Sequence, residues 1–143
     1  MGMTQEIHAE LEFLHVDAMG NFSLAEAKRL FLEMLDAIAR HQSKKVLLDG
    51  RKLTGNIETI ERFYYAEFAA HEVIEAAHQG VSPSTQFAYV LREPILDPQR
   101  FGETVAVNRG VLAKAFDNLE PALSWLGISP TNKAIKATGH SPA

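Results

Sequence analysis

The segment "DGRKLTGNIET", residues 49–59, gathers residue types that do chemistry. Asp49 and Arg51 are two positions apart. At that spacing a carboxylate and a guanidinium can close a bidentate pair on each other. Alternatively, Arg51 can hold a carboxylate or phosphate ligand in its planar fork while Asp49 orients that ligand. Thr54 and Asn56 add a hydroxyl and an amide. Asp49, Arg51, Thr54 and Asn56 are therefore the ligand-binding candidates. The competing reading is a folding device, and the residue types favour it. In that reading Asp49 accepts loop amides, and Arg51 pairs with Asp49 or Glu58. Gly50, Gly55 and Asn56 supply backbone at positive φ. Thr59 and Thr54 are the phosphoacceptor candidates. Thr59 stands where a helix dipole would stabilise added negative charge. Cap and turn chemistry is the simpler account of both threonines.

A second constellation is Glu67, His71, Glu75 and His78, which share one helical stripe with Tyr64 at its N-terminal end. Two imidazoles and a carboxylate can bind a divalent metal. However, "HEVIEAAH" lacks the second histidine that a zinc-protease helix carries four residues after the first; Glu75 is there instead. Successive turns of one helix rarely give three ligands correct geometry. His71, Glu75 and His78 are a weak metal candidate beside the plainer reading of a solvated Glu–His face, and no metal or cofactor is implied. His8 and His15 have no partner that spacing identifies. No G-x-S-x-G elbow, Walker loop or strand-linked G-x-G-x-x-G is present. "REPILDP" sets Ile95 and Leu96 between prolines, exposed either as a partner contact or as a lid on the sheet end.

The chain that must position these groups has 143 residues, 46% hydrophobic and 22% charged, the balance of one globular domain. It has no cysteine, which excludes disulfides, thiolate metal sites and a cysteine nucleophile. The formal charge is −4; residues 128–143 hold two lysines and no acid, so the body has 12 basic against 18 acidic side chains. Such a surface repels phosphate backbones, and nucleic acid is not an expected partner. No apolar run approaches the roughly 18 residues of a membrane helix, and the first residues lack the character of a signal peptide. A cytoplasmic location is expected. The partners left open are another protein, a second copy in a homodimer, and a small amphipathic ligand.

Periodicity supplies the elements. Two short strands, 7–13 and 14–19, form a hairpin. Ser23 caps a helix through His41, with Glu26 completing a capping box and Leu24, Ala27, Phe31, Met34, Leu35 and Ile38 in its stripe. "KVLLD" and "QFAYVL" are strands buried on both faces. A second helix runs over 57–78 with Phe63, Ala70, Ile74 and Ala77 buried. A third has Asp97 at the N-cap, Pro98 at N1 and Gly110 at C′. "VLAKAF" is the last strand, and a helix from Asn118 to Gly127 follows it, burying Trp125. The domain spans 1–127, and the tail 128–143, without periodicity, is expected to be disordered. The order β-β-α-β-α-β-α-β-α implies a mixed, mostly parallel sheet with right-handed crossovers. Functional loops then lie beyond the carboxyl ends of the strands, and the segment after "KVLLD" is placed at such an end.

This order resembles the SpoIIAA-like superfamily. The likeness rests on "KVLLD" leading through a polar loop into a helix, on "PQRFGETVAVNRG", and on "VLAKAFDNLEPALSWLG". That superfamily includes STAS domains, among them anti-sigma-factor antagonists, and fold relatives of the lipid-carrying Sec14 proteins. The resemblance covers roughly Glu6 to Gly127 and implies an α/β fold of SpoIIAA/STAS type. It also implies a non-enzymatic regulatory or ligand-binding role. Its Sec14 side implies a carrier of a small apolar or amphipathic molecule. Phospho-switch STAS proteins carry Asp-Ser followed by Gly-Leu-Gly at the loop-to-helix junction. The corresponding place is near Glu58-Thr59, but Ile60, Glu61 and Arg62 follow and no glycine does. A further alternative is an enzyme built on Asp49, Arg51 and the His71/Glu75/His78 stripe. An apolar cavity between the long helices and the sheet would separate the carrier from the others.

Overall fold

The structure, a computed structural model, describes residues 2–128. Strand β1 (Thr4–Ala9) runs antiparallel to β2 (Leu14–Asn21). Helix α1 (Leu24–His41) leads to β3 (Lys45–Thr54), and α2 (Thr59–Glu75) ends in a 3-10 turn at Ala76–Gln79. Then come β4 (Gln86–Val90), α3 (Phe101–Asn108), β5 (Leu112–Phe116) and α4 (Leu119–Leu126). The five strands lie in the order β1-β2-β3-β4-β5, and every pair after the first is parallel. The expected mixed, mostly parallel α/β sheet is present.

Because β2 to β5 are laid down in one direction, right-handed crossovers place α1, α2 and α3 on the same face. Their core joins Val16, Val46, Leu48 and Phe87 of the sheet to Phe31, Met34 and Ile38 of α1 and to Ala70 and Val73 of α2. Helix α4 covers the opposite face, with Leu123 and Leu126 against Leu47, Ala88 and Val90. It lies over β3, β4 and β5. The far face of β1 and β2 therefore carries polar side chains.

Several boundaries differ from the sequence reading. Strand β1 is Thr4–Ala9, and residues 10–13 form the connection, with Phe13 buried under α4. Strand β3 continues five residues past Asp49. The supposed loop is an extended strand, paired with β2 as far as Thr54 although β4 stops opposite Asp49. A sheet edge, not a turn, uses its backbone groups.

The buried stripe of α2 is Ala66, Ala69, Ala70 and Val73, and Ile74 is 56% exposed. The face is turned by one residue from the expected one, because small alanines are what let α2 approach its neighbours. Helix α3 begins at Phe101, not at Pro98, with Arg100 as N-cap. Asp97 still caps it from a distance, its carboxylate accepting the N–H groups of Phe101 at 2.8 Å and Gln99 at 3.1 Å. The capping box of α1 is half formed. Ser23 Oγ accepts the Glu26 N–H, but the Glu26 carboxylate turns to the Met3 N–H at 2.6 Å. Ile128, assigned to the tail, is buried against the α4 face, and the rest of that expected tail lies outside the described residues.

Candidate functional site

Two places collect functional side chains. The first is the outer face of β1–β3. Asp17 lies opposite Asp49 in the register, but Met19 lies opposite Lys52, so β3 carries one extra residue there. Such a bulge breaks the alternation of side chains. It brings Lys52 to 3.8 Å from Asp17 while Asp49 and Arg51 pair with each other. Arg51 donates from Nε to Asp49 Oδ1 at 2.9 Å and from Nη2 to Oδ2 at 2.7 Å, and its backbone N–H reaches Oδ1 at 3.1 Å. Burial pushes the Asp49 carboxyl up, but the hydrogen bonds and charge of Arg51 outweigh that and hold it below the usual carboxylate range. The same bonds raise Arg51.

This fork is closed. An anion could be held bidentately by Arg51 only by displacing Asp49. Thr54, five residues along the strand, lies about 16 Å from Asp49 at the usual rise per residue. Its hydroxyl donates to Asn21, and Asn56 is exposed beyond it. The four ligand candidates thus form a pair and a separate strand end. Gly55 has the expected positive φ; Gly50 does not, and a Cβ there would meet only the terminal methyls of Leu91 and Leu53.

Thr59 is exposed in the first turn of α2, but the N-cap is Glu58, whose N–H donates to the Glu61 carboxylate at 3.0 Å. A phosphate on Thr59 would meet both carboxylates. On α2, Glu67 forms an ion pair with Arg109, and His71, Glu75 and His78 are exposed. Among the described residues no three metal-ligating side chains converge. His8 and His15 sit opposite each other across β1 and β2, their rings 5.9 Å apart.

The second place lies where the carrier reading looked for a cavity, although its lining was not identified from sequence. Between the three helices and the sheet lies a cavity of about 180 Å³. Its walls include Leu30 and Phe31 of α1, Leu48 of β3, Ala66 and Ala69 of α2, and Phe87 of β4. The alanines of α2 leave room where larger residues would fill it. Segment 91–100 crosses one side. Ile95 and Leu96, expected to be exposed, are 3% and 4% accessible and border the cavity, so the lid reading of this segment holds. Arg62 of α2 ties that segment down, donating to the carbonyls of Ile95 at 2.7 Å and Pro94 at 2.8 Å.

At the rim Arg100 donates to the carbonyls of Asp97 and Ala115, and Lys114 lies 3.9 Å from Glu103. The Phe101 N–H on its carboxylate, joined by that of Gln99, holds Asp97 below the usual range despite some burial. Within the cavity wall, the hydroxyls of Tyr65 and Tyr89 are 2.8 Å apart. Burial pushes the Tyr65 phenol up to about 12 and that of Tyr89 well above its ordinary value. A tyrosine in the apolar part of the strand "QFAYV" was the one available sequence signal.

The fold this geometry defines is SpoIIAA-like. Over 88% of the chain it matches 95% of an anti-sigma factor antagonist from Mycobacterium paratuberculosis, with a TM-score of 0.55 at 13% identity. It also matches 94% of an uncharacterised protein with a SpoIIAA-like fold from Shewanella loihica over 87% of this chain, with a TM-score of 0.50 at 17% identity. At such identities the likeness is one of fold. Comparison with protein-family models and with curated proteins gives no match. No helix of the described residues is long and apolar enough to cross a membrane.

Proposed function

We propose that the chain is a non-enzymatic ligand-binding module that takes a small, largely apolar molecule between its helices and sheet. The observation that carries this reading is the apolar cavity. An apolar space of about 150 Å³ is enough to hold a benzene-sized molecule, and this one is somewhat larger. Transfer of such a ligand from water is driven by apolar area, at about 25 cal/mol per Å². The fold of an anti-sigma factor antagonist supports a regulatory use of the same module, with occupancy as the signal. The closed Asp49–Arg51 fork and the dispersed candidates around it support a structural role for that face instead of catalysis.

The test is calorimetric titration of the full chain with α-methylstyrene, an uncharged hydrocarbon. Saturable one-site binding is expected. Ala66→Leu, which extends a buried cavity-lining side chain into the space, should abolish it while leaving the circular dichroism spectrum unchanged. Heats of dilution alone, or undiminished binding in Ala66→Leu, would rule the reading out.

A further inference from the structure

The cavity wall is mostly apolar. Its polar members are the Tyr65–Tyr89 pair, the charged groups of the rim, and Gln5, Glu61 and Asp97, which are engaged with backbone groups. Tyr89 stands on β4, an interior strand flanked by β3 and β5, and Tyr65 stands on α2 above it. Their rings meet edge to face with centroids 6.4 Å apart, and Phe31 packs edge-on against Tyr65. Both side chains line the cavity. Each phenol carries one proton. In a pair bonded at 2.8 Å, one hydroxyl donates to the other, and the second keeps an O–H proton that the pair itself cannot satisfy. The pair is part-buried and faces a mostly apolar cavity. A donor left without an acceptor in such surroundings is costly, so this proton favours a ligand that brings an acceptor to it.

Resting on the cavity reading above, we infer that the ligand is an uncharged molecule with a carbonyl or ether-type oxygen on an apolar body. Its oxygen accepts the free phenol proton of the Tyr65–Tyr89 pair. The charged groups of the rim do not redirect it. Arg62 and Arg100 donate to backbone carbonyls, and Lys114 faces Glu103. A carboxylate taken to the pair would lose its hydration against the mostly apolar wall, with no free cation there among the described residues to replace it.

Two probes of equal heavy-atom count and nearly identical shape isolate the oxygen: acetophenone and α-methylstyrene, in which a methylene replaces the carbonyl oxygen. The ratio of their affinities is measured for the wild type, Tyr65→Phe, Tyr89→Phe and the double variant. Either single variant leaves one phenol proton and should keep the preference for the ketone. The double variant has none and should lose about 3- to 10-fold of that preference, with α-methylstyrene affinity unchanged. In the wild type the infrared carbonyl stretch of bound acetophenone should fall at a hydrogen-bonded frequency, a readout independent of how the variants fold. A stretch like that in a hydrocarbon solvent, or an unchanged ratio in the double variant, overturns the inference while leaving the cavity reading intact. Failure of the wild type to bind either probe overturns both.

Discussion

The pair Asp49–Arg51 should hold the outer face of β3, and its strength can be worked from its geometry. Three donor contacts of 2.7 to 3.1 Å end on one carboxylate. Opposite charges about 4 Å apart attract by about 1 kcal/mol in bulk water and about 4 kcal/mol at a surface-like effective dielectric. The side chains remain 15% and 32% exposed, which places the pair toward the weaker end. A double-mutant cycle with Asp49→Ala and Arg51→Ala, read by urea denaturation, should return a coupling of about 1–2 kcal/mol. Asp49→Asn should cost about as much, because its amide NH₂ turns a donor toward the guanidinium. Arg51→Lys should cost less, since one ammonium contact replaces the fork.

The coupling must also depend on pH. The folded carboxyl titrates below the unfolded value near 3.9. Its contribution is therefore fully present above about pH 4 and is lost as pH falls through the folded value. A coupling below about 0.3 kcal/mol, or one that does not change between pH 7 and pH 2.5 in variants that remain folded, would refute the reasoning. Phosphate protecting the wild type strongly from denaturation, but not Arg51→Lys, would instead make the pair a ligand site.

Gly20→Ala should destabilise the fold by about 3 kcal/mol or more. Gly20 has φ +107, and a methyl there would meet the backbone of Gly2 and Met3; a loss under 1 kcal/mol in chemical denaturation would mean that the N-terminal residues are not held against β2. Trp125→Ala should cost about 2 kcal/mol, less than a full core truncation, because the indole is only half-buried and packs on Phe116 at 5.9 Å. Thermal melts would check this, and an unchanged midpoint would make Trp125 a surface residue.

The architecture was legible in the sequence because periodicity and breakers are local. The α1 stripe, the apolar runs of β3 and β4 and the caps at Ser23, Asn118 and Gly127 are each set by residues within a turn or two of one another. The Asp49–Arg51 pair was legible for the same reason, since two residues apart on one segment need no tertiary information to meet.

What the sequence could not specify were quantities that depend on a neighbour distant in the chain. Residues 50–54 form strand and not loop because β2 supplies their hydrogen bonds, and no propensity in "GRKLT" announces that partner. The α2 stripe turned by one residue because packing against the other helices, not hydrophobicity alone, selects which side faces in. The cavity is the furthest from local reading. It exists because one-directional strand order puts three helices on one face and because alanines on α2 leave the space unfilled. Tyr65 and Tyr89 stand 24 residues apart in the chain, and only the packing of α2 over β4 brings their hydroxyls together.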